Sequence, residues 1–234
     1  MNKQKIKIDI VSDVNCPWCY LGEQRLKKAI QESGDAYEFE LHFKPFELNP
    51  NAPQEGEPKD EYFIRNYGAE AMPRLNASSK QLEKMGKAEG AEFNFDKANV
   101  VHNTFNGHRL IWLAEQYGVQ EAVAHALFRS NFSEGQNVND LQVLKEIGVA
   151  NGIPAERLDS FFSSDEGKSE VKSLERWAQQ SGITGVPAFI FNDKYLVSGA
   201  QPAETLRQVF SQLTPSLQPL DTSGDSCSIE DGNC

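Results

Sequence analysis

The 234-residue chain has no apolar run approaching the roughly 20 residues a bilayer-spanning helix requires. It also lacks a basic excess: 23 Lys and Arg stand against 34 Asp and Glu, a net charge of −11. Nucleic acids and anionic lipid surfaces call for a cationic face, so neither is an expected partner. Histidine is sparse, and His42, His102, His108 and His125 show no ligand spacing, so no metal or cofactor is expected. Cysteine is sparse too. Four in a chain this long cannot staple a secreted scaffold, which leaves catalytic, redox or metal-binding roles. Before the first strand, Met1-Asn2-Lys3-Gln4-Lys5 carries no apolar segment of signal-peptide type, and a cytoplasmic setting is expected.

What is present reads as an α/β protein. Ile6, Ile8 and Ile10 alternate with Lys7 and Asp9, a strand period that Val11 extends. A helical pattern follows from Pro17, which suits a first helical position, and Gly34 is a stop signal. Tyr37, Phe39, Leu41 and Phe43 then alternate with charged residues as a second strand. Residues 47–59 read as a loop rich in Pro, Asn and Gly. From about 60 to 182 the period is helical, with Val101, Phe105, His108 and Trp112 on one face and no strand evident. Strands return at residues 186–191 and 195–197 around an Asn192-Asp193 turn, and Pro202 opens a last helix. The expected organisation is a discontinuous α/β domain (1–58 and 183–213), a helical insertion (59–182) and a polar tail (214–234). Phe63, Tyr67, Trp112, Phe128 and Trp177 are expected in the core.

The chemistry concentrates in Cys16-Pro17-Trp18-Cys19, placed after a strand and at the opening of a helix. A C-x-x-C spacing sets two sulfurs on one turn, close enough to bond. The helix N-terminus favours a thiolate at Cys16, the nucleophile toward a disulfide. Cys19, one turn further and more buried, resolves the mixed disulfide. Trp18 bears no charge, so its expected part is in exposure and substrate contact. Half of a zinc site and a pair of inert thiols are the competing readings. The strand-before, helix-after context favours redox chemistry.

Val186-Pro187 opens an apolar strand, a position where proline is tolerated. A cis bond there would leave the Val186 backbone free to pair with an extended substrate, whereas a trans proline would only mark an edge strand. Asp13, three residues before Cys16, suits proton transfer with Cys19 or, equally, a strand-end cap. Cys227 and Cys234 frame Ser-Ile-Glu-Asp-Gly-Asn and are close enough for a small loop disulfide. They read as an auxiliary redox pair, as free thiols or as adventitious metal ligands.

Four segments carry a resemblance: Ser12-Asp13-Val14-Asn15-Cys16-Pro17-Trp18-Cys19-Tyr20-Leu21-Gly22, Phe43-Lys44-Pro45-Phe46-Glu47-Leu48-Asn49-Pro50, Asn103-Thr104-Phe105-Asn106-Gly107-His108-Arg109-Leu110 and Gly182-Ile183-Thr184-Gly185-Val186-Pro187-Ala188-Phe189. Over roughly residues 5–212 the chain resembles the DsbA-like family, specifically its FrnE branch. The resemblance implies a thioredoxin fold with an inserted helical subdomain, a redox-active dithiol and a cis-proline at Pro187. It also places the helix carrying His108 and Arg109 opposite the dithiol. Relatives such as glutathione S-transferase kappa and 2-hydroxychromene-2-carboxylate isomerase characteristically do not keep the dithiol, and here both cysteines are present.

The expected function is thiol–disulfide exchange on protein disulfides or dithiols, with glutathione or thioredoxin as recycling partner and no bound cofactor. The alternatives are a glutathione-dependent transferase or isomerase acting on small aromatics, and a chaperone-like binding module.

Overall fold

The computed structural model describes residues 3–213 and, as backbone, the short strand Cys227–Ser228. The α/β core starts with β1 (Gln4–Ser12), α1 (Pro17–Glu32) and β2 (Tyr37–Pro45). Strands β1 and β2 run parallel, in register from Gln4 opposite Tyr37 to Ser12 opposite Pro45. The chain then continues through β3 (Glu57–Pro58), α2 (Lys59–Tyr67), α3 (Met72–Glu89), β4 (Val100–Val101), α4 (Phe105–Glu115) and α5 (Gln120–Arg129). A π-helical turn (Ser130–Glu134) leads to α6 (Leu141–Ala150), α7 (Ala155–Phe162) and α8 (Lys168–Gln180). It returns through β5 (Gly185–Val186), β6 (Ala188–Phe191), β7 (Tyr195–Ser198) and α9 (Ala203–Gln212), with β8 (Cys227–Ser228) beyond.

The main sheet has the order β2-β1-β6-β7, with β6 antiparallel to both neighbours. Its centre explains why the β1 alternation fades. Ile6 and Ile8 are buried between more exposed lysines, but from Ile8 to Ser12 every residue is buried because both faces are covered. Helices α1 and α9 pack on each other, and α4, α5 and α8 pack against β2. Ile6, Ile8, Ile10, Leu26, Phe189 and Phe210 belong to one cluster with Leu110, Leu113 and Leu127 of the inserted helices. Burying each such side chain contributes roughly 1.5–3 kcal/mol, so insertion and sheet stabilise one another.

Local chemistry fixes the ends of these elements. Cys16 is the N-cap of α1, its backbone extended (φ −91°, ψ 110°), and Pro17 follows where no N–H is needed. Asn192 (φ 51°) and Asp193 (φ 58°) both adopt left-handed backbone, the turn whose twist matches a tight hairpin. Gly22, on α1, lets the helix approach the strand loop: a Cβ there would lie 3.1 Å from Pro187 Cγ and 3.4 Å from Phe189 Cζ.

Three expectations need correction. The stretch from 60 to 182 is not free of strand: Val100 and Val101 extend as β4 against Glu57 and Pro58, and α4 starts only at Phe105. A ladder of two residues is too short to carry a period. Val101 therefore does not share a helix face with Phe105. Trp177 is exposed rather than core, at 36% of its surface, because α8 turns Val171 and Ala178 inward instead. Tyr67 is only half-buried and, with the buried Phe63, lines a cavity beside Pro17.

Gly22→Val is expected to force α1 away from the Pro187 loop and to destabilise the protein by about 1–3 kcal/mol. Urea denaturation checks this; Gly22→Ala, whose single methyl meets contacts at the limit of tolerance, is expected to cost less.

Candidate active site

The site is assembled where β1 hands over to α1. Asp13 accepts from two backbone amides, Asn15 N–H to Oδ1 (3.2 Å) and Leu48 N–H to Oδ2 (2.7 Å). Its own carbonyl accepts from Cys16 N–H at 3.0 Å. Asn15 and Asn131 clamp the same loop. The Asn15 side chain donates to the His102 carbonyl, and the Asn131 side chain donates to the Val14 carbonyl at 3.0 Å. The turn before Cys16 is thereby tied to the segment after β2, to the segment before α4 and to the π-helical turn. The Asp13 side-chain bonds serve that tie; the carboxylate takes no amide of α1, whose N-cap is Cys16.

Cys16 Sγ accepts the Cys19 amide at 3.3 Å, satisfying one of the free donors at the start of α1. The same thiol lies 3.5 Å from the Val186 carbonyl oxygen, to which it donates. The Val186–Pro187 peptide bond is cis. The structure therefore brings together Cys16, Pro17, Cys19, Asp13, Val186 and Pro187, residues separated in sequence by the whole inserted block. Both cysteines are free thiols, joined through the Cys19 amide that Cys16 Sγ accepts.

Burial differs from expectation. Cys19 is not the more buried of the two; Cys16 is fully enclosed and Cys19 nearly so. Val186 contributes to this closure, and its backbone is itself paired in β5 with β8, Val186 opposite Cys227. The strand edge beside the thiol is thus already occupied by the chain's own C-terminal segment. Trp18 is not a surface contact: it is buried in the cluster holding Ile183 and Val186, and its indole N–H has no hydrogen-bond partner among the described residues. Cys234 lies outside the described residues, and so does any bond it makes to Cys227.

Desolvation pushes the Cys19 thiol well above its ordinary pKa, and the adjacent Cys16 adds to the shift. Beyond Asp13 lies a group of ionisable side chains that sequence spacing does not reveal. His108, buried on α4, approaches Asp13 Oδ1 with Nε2 at 3.5 Å and donates from the same nitrogen to the Phe46 carbonyl at 3.1 Å. Burial opposes its charged form, but Asp13, Glu47 and Glu175 outweigh that and raise its pKa. Burial pushes Glu47 up to about 8, helped by neighbouring Glu175, and Glu175 is likewise raised by burial. Arg109 does not face the dithiol with His108. Successive helical residues point in different directions, and Arg109 instead donates to the carbonyls of Phe161, Ser164 and Glu166. Among the described residues, no three His, Cys, Asp or Glu side chains form a metal-binding cluster.

A cavity opens beside Asn15 and Pro17, lined by Lys59, Tyr62, Phe63 and Phe95 among others. Neither cysteine lines it; it reaches the dithiol turn only through Asn15 and Pro17.

Comparison with known proteins agrees with this architecture. The family model for the DSBA-like thioredoxin domain matches residues 7–211. A probable DsbA oxidoreductase from Streptomyces coelicolor is 33% identical, with a TM-score of 0.82 over 93% of this chain and 94% of that one. The uncharacterized protein YwbO of Bacillus subtilis is 24% identical over 88% of this chain and 96% of its own length. The 2-hydroxychromene-2-carboxylate isomerase structure, 17% identical with a TM-score of 0.67 over 88% and 95% of the two chains, shares the fold. With a match spanning the sheet, the inserted helices and the dithiol turn alike, the chain belongs to the DSBA-like thioredoxin family of thiol–disulfide oxidoreductases.

Proposed function

We propose that Cys16 and Cys19 are the redox centre of this oxidoreductase and that the chain exchanges disulfides with protein substrates. The observation that carries the reading is the Cys16 thiol capping α1 while resting against the Val186 carbonyl, next to cis-Pro187. Attack by the Cys16 thiolate on a substrate disulfide forms a Cys16–substrate disulfide and expels the second substrate sulfur as thiolate. Cys19 then attacks Cys16, closing the Cys16–Cys19 disulfide and releasing the first substrate sulfur. Pro17 starts the helix that carries both sulfurs, and Trp18 supports it from the core. A substrate strand would dock along the Val186 and Pro187 backbone.

That edge is where β8 lies, which supports a part for the tail. In this reading Cys227 and Cys234 are an auxiliary pair that exchanges with Cys16 and Cys19, and an incoming substrate displaces β8. Glutathione or thioredoxin then returns the dithiol in a cytoplasmic setting, and the chain falls in the FrnE branch.

The rival reading, a glutathione-dependent enzyme acting on small aromatics, draws on the aromatic cavity beside Pro17. The intact Cys19 in contact with Cys16 favours exchange, because a transferase has no use for a resolving thiol.

Cys16→Ala is expected to abolish insulin reduction, and activity surviving it would mean a binding module instead. Cys19→Ser is expected to lose turnover and to accumulate a substrate or glutathione adduct on Cys16, visible by mass spectrometry; continued turnover would favour the transferase. Replacing Cys227 and Cys234 together by Ser is expected to leave single-turnover attack intact while slowing recycling by several-fold, and unchanged steady-state rates would remove the tail from the cycle.

A further inference from the structure

Exchange at Cys16 needs a disulfide, and any accessible disulfide would serve unless something beside the thiol selects one. Asn15 and Pro17, the residues on either side of Cys16, both line a cavity of about 70 Å³. Its other walls are aromatic. Tyr62, Phe63 and Tyr67 line it from α2, Phe95 from the segment before β4 and Phe132 from the π-helical turn. These rings are packed on one another. Centroids of Tyr62 and Phe63 lie 5.3 Å apart, of Phe63 and Tyr67 5.9 Å, and of Phe95 and Phe132 6.2 Å, all edge-on or tilted. Toward the dithiol the cavity is bounded by Asn131, which donates to the Val14 carbonyl and to Asn15 Oδ1 at 3.4 Å. A group resting in the cavity therefore touches the turn that presents Cys16.

A cation shares this space. Lys59, at the start of α2, holds its ammonium 4.4 Å from the centroid of the Phe95 ring. Its backbone N–H donates to the Asn99 carbonyl at 2.8 Å, which fixes the start of the helix. Burial pushes the ammonium below its ordinary pKa, and Asp60 and Glu83 act on it only through their charge. A desolvated cation among rings suits either an anion or the electron-rich face of a further ring. The two are not equal here. A carboxylate would gain Lys59 but lose its water among five rings, a penalty that offsets much of the attraction. A ring gains on both counts, because its apolar area leaves water and its face meets the cation. Size points the same way. At about 70 Å³ the cavity is several times the roughly 10–15 Å³ that one water occupies, enough for a side chain and too little for a tripeptide such as glutathione. The chain's own tail cannot supply the ring, since residues 214–234 contain no Phe, Tyr or Trp.

We propose that this cavity is a specificity pocket for an aromatic side chain next to the substrate's cysteine, so that the chain selects disulfides flanked by Phe, Tyr or Trp. Reach agrees with this assignment. A substrate cysteine bonded to Cys16 has its neighbours about 3.8 Å away, Cα to Cα, the same step that separates Asn15 and Pro17 from Cys16. The pocket also sets substrate apart from β8. That strand occupies the Val186 edge but belongs to a segment without a ring, so an aromatic-flanked cysteine gains a contact that the tail does not offer. The inference rests on the Cys16–Cys19 exchange reading and names its substrate class. Lys59 and the rings act on binding and leave the sulfur chemistry to the dithiol.

The test uses the reduced full-length protein and short peptides, Gly-X-Cys-Gly and Gly-Cys-X-Gly, each carried as a mixed disulfide with thionitrobenzoate. Attack by Cys16 on the peptide sulfur forms the Cys16–peptide disulfide and expels the coloured thiolate, which stopped flow follows. With Phe or Tyr as X, the second-order rate constant is expected to exceed that of the Ala peptide by about tenfold or more in at least one order, the factor that burying a ring supplies. Glu as X is expected to give no gain over Ala. The Phe-to-Ala ratio is the readout, because general damage to the dithiol cancels in it. Ser79→Leu, which fills the cavity from α3, is expected to bring that ratio below about threefold. Lys59→Gln is expected to lower it by about two- to fivefold. If Ser79→Leu fails to fold, Lys59→Gln decides alone. Equal rates for Phe and Ala in both orders overturn the pocket, and so does a ratio that the folded variants leave unchanged. A preference for Glu assigns the cavity to an anion and overturns the aromatic assignment. Failure of every peptide to release thiolate overturns instead the exchange reading on which the inference rests.

Discussion

The contact on which the site depends is the approach of the first turn of α1 to the loop that enters β6. It sets Cys16 against the Val186 carbonyl at 3.5 Å, and it requires a residue without a side chain at position 22, where Pro187 and Phe189 close in. Residues 16 and 186 meet because β1 and β6 are antiparallel neighbours, Val11 standing opposite Ala188. A change that lets the sheet slip or the helix lift would separate the thiol from the backbone that would guide a substrate to it. The inserted helices support this geometry rather than merely decorating it: Asn131 and His102 hold the turn before Cys16 in place.

The same closeness has an electrostatic consequence. Taking both sulfurs out of water makes the reduced, protonated state of Cys19 favourable, which suits storage of a dithiol but obstructs the step in which that thiol must ionise. The buried Asp13 belongs to that tension, since its charge also disfavours the Cys19 thiolate. Further out, burial and the neighbouring Glu175 hold the Glu47 carboxyl neutral near pH 7 in a half-buried position, which is costly to stability. The strand β8 along Val186 adds a steric side to the same theme, since the docking edge is filled by the chain itself.

Much of this was legible in sequence because it is local. The alternation in β1, the dithiol at a strand-to-helix junction, the Asn192-Asp193 turn and Val186-Pro187 each declare themselves within a few residues. Long-range facts were not legible. Glu175 lies on an amphipathic helix far from Glu47, and nothing in its neighbourhood distinguishes it from a solvated glutamate. Glu47 stands within a motif that carries the family resemblance, yet only the fold shows its partner. Trp18 was misread because position on a helix does not say which face a partner domain covers. His108 and Arg109, adjacent in one motif, diverge in space as helical geometry requires. The two-residue pairing of β3 with β4 leaves no periodic trace at all.

The most direct test of the central claim is to equilibrate the full-length protein with oxidised and reduced glutathione across a range of ratios and map the cysteines by peptide mass spectrometry. The account requires a Cys16–Cys19 disulfide that forms and disappears reversibly with the ratio. Persistent free thiols, or a stable glutathione adduct on Cys16 that Cys19 never displaces, would contradict it.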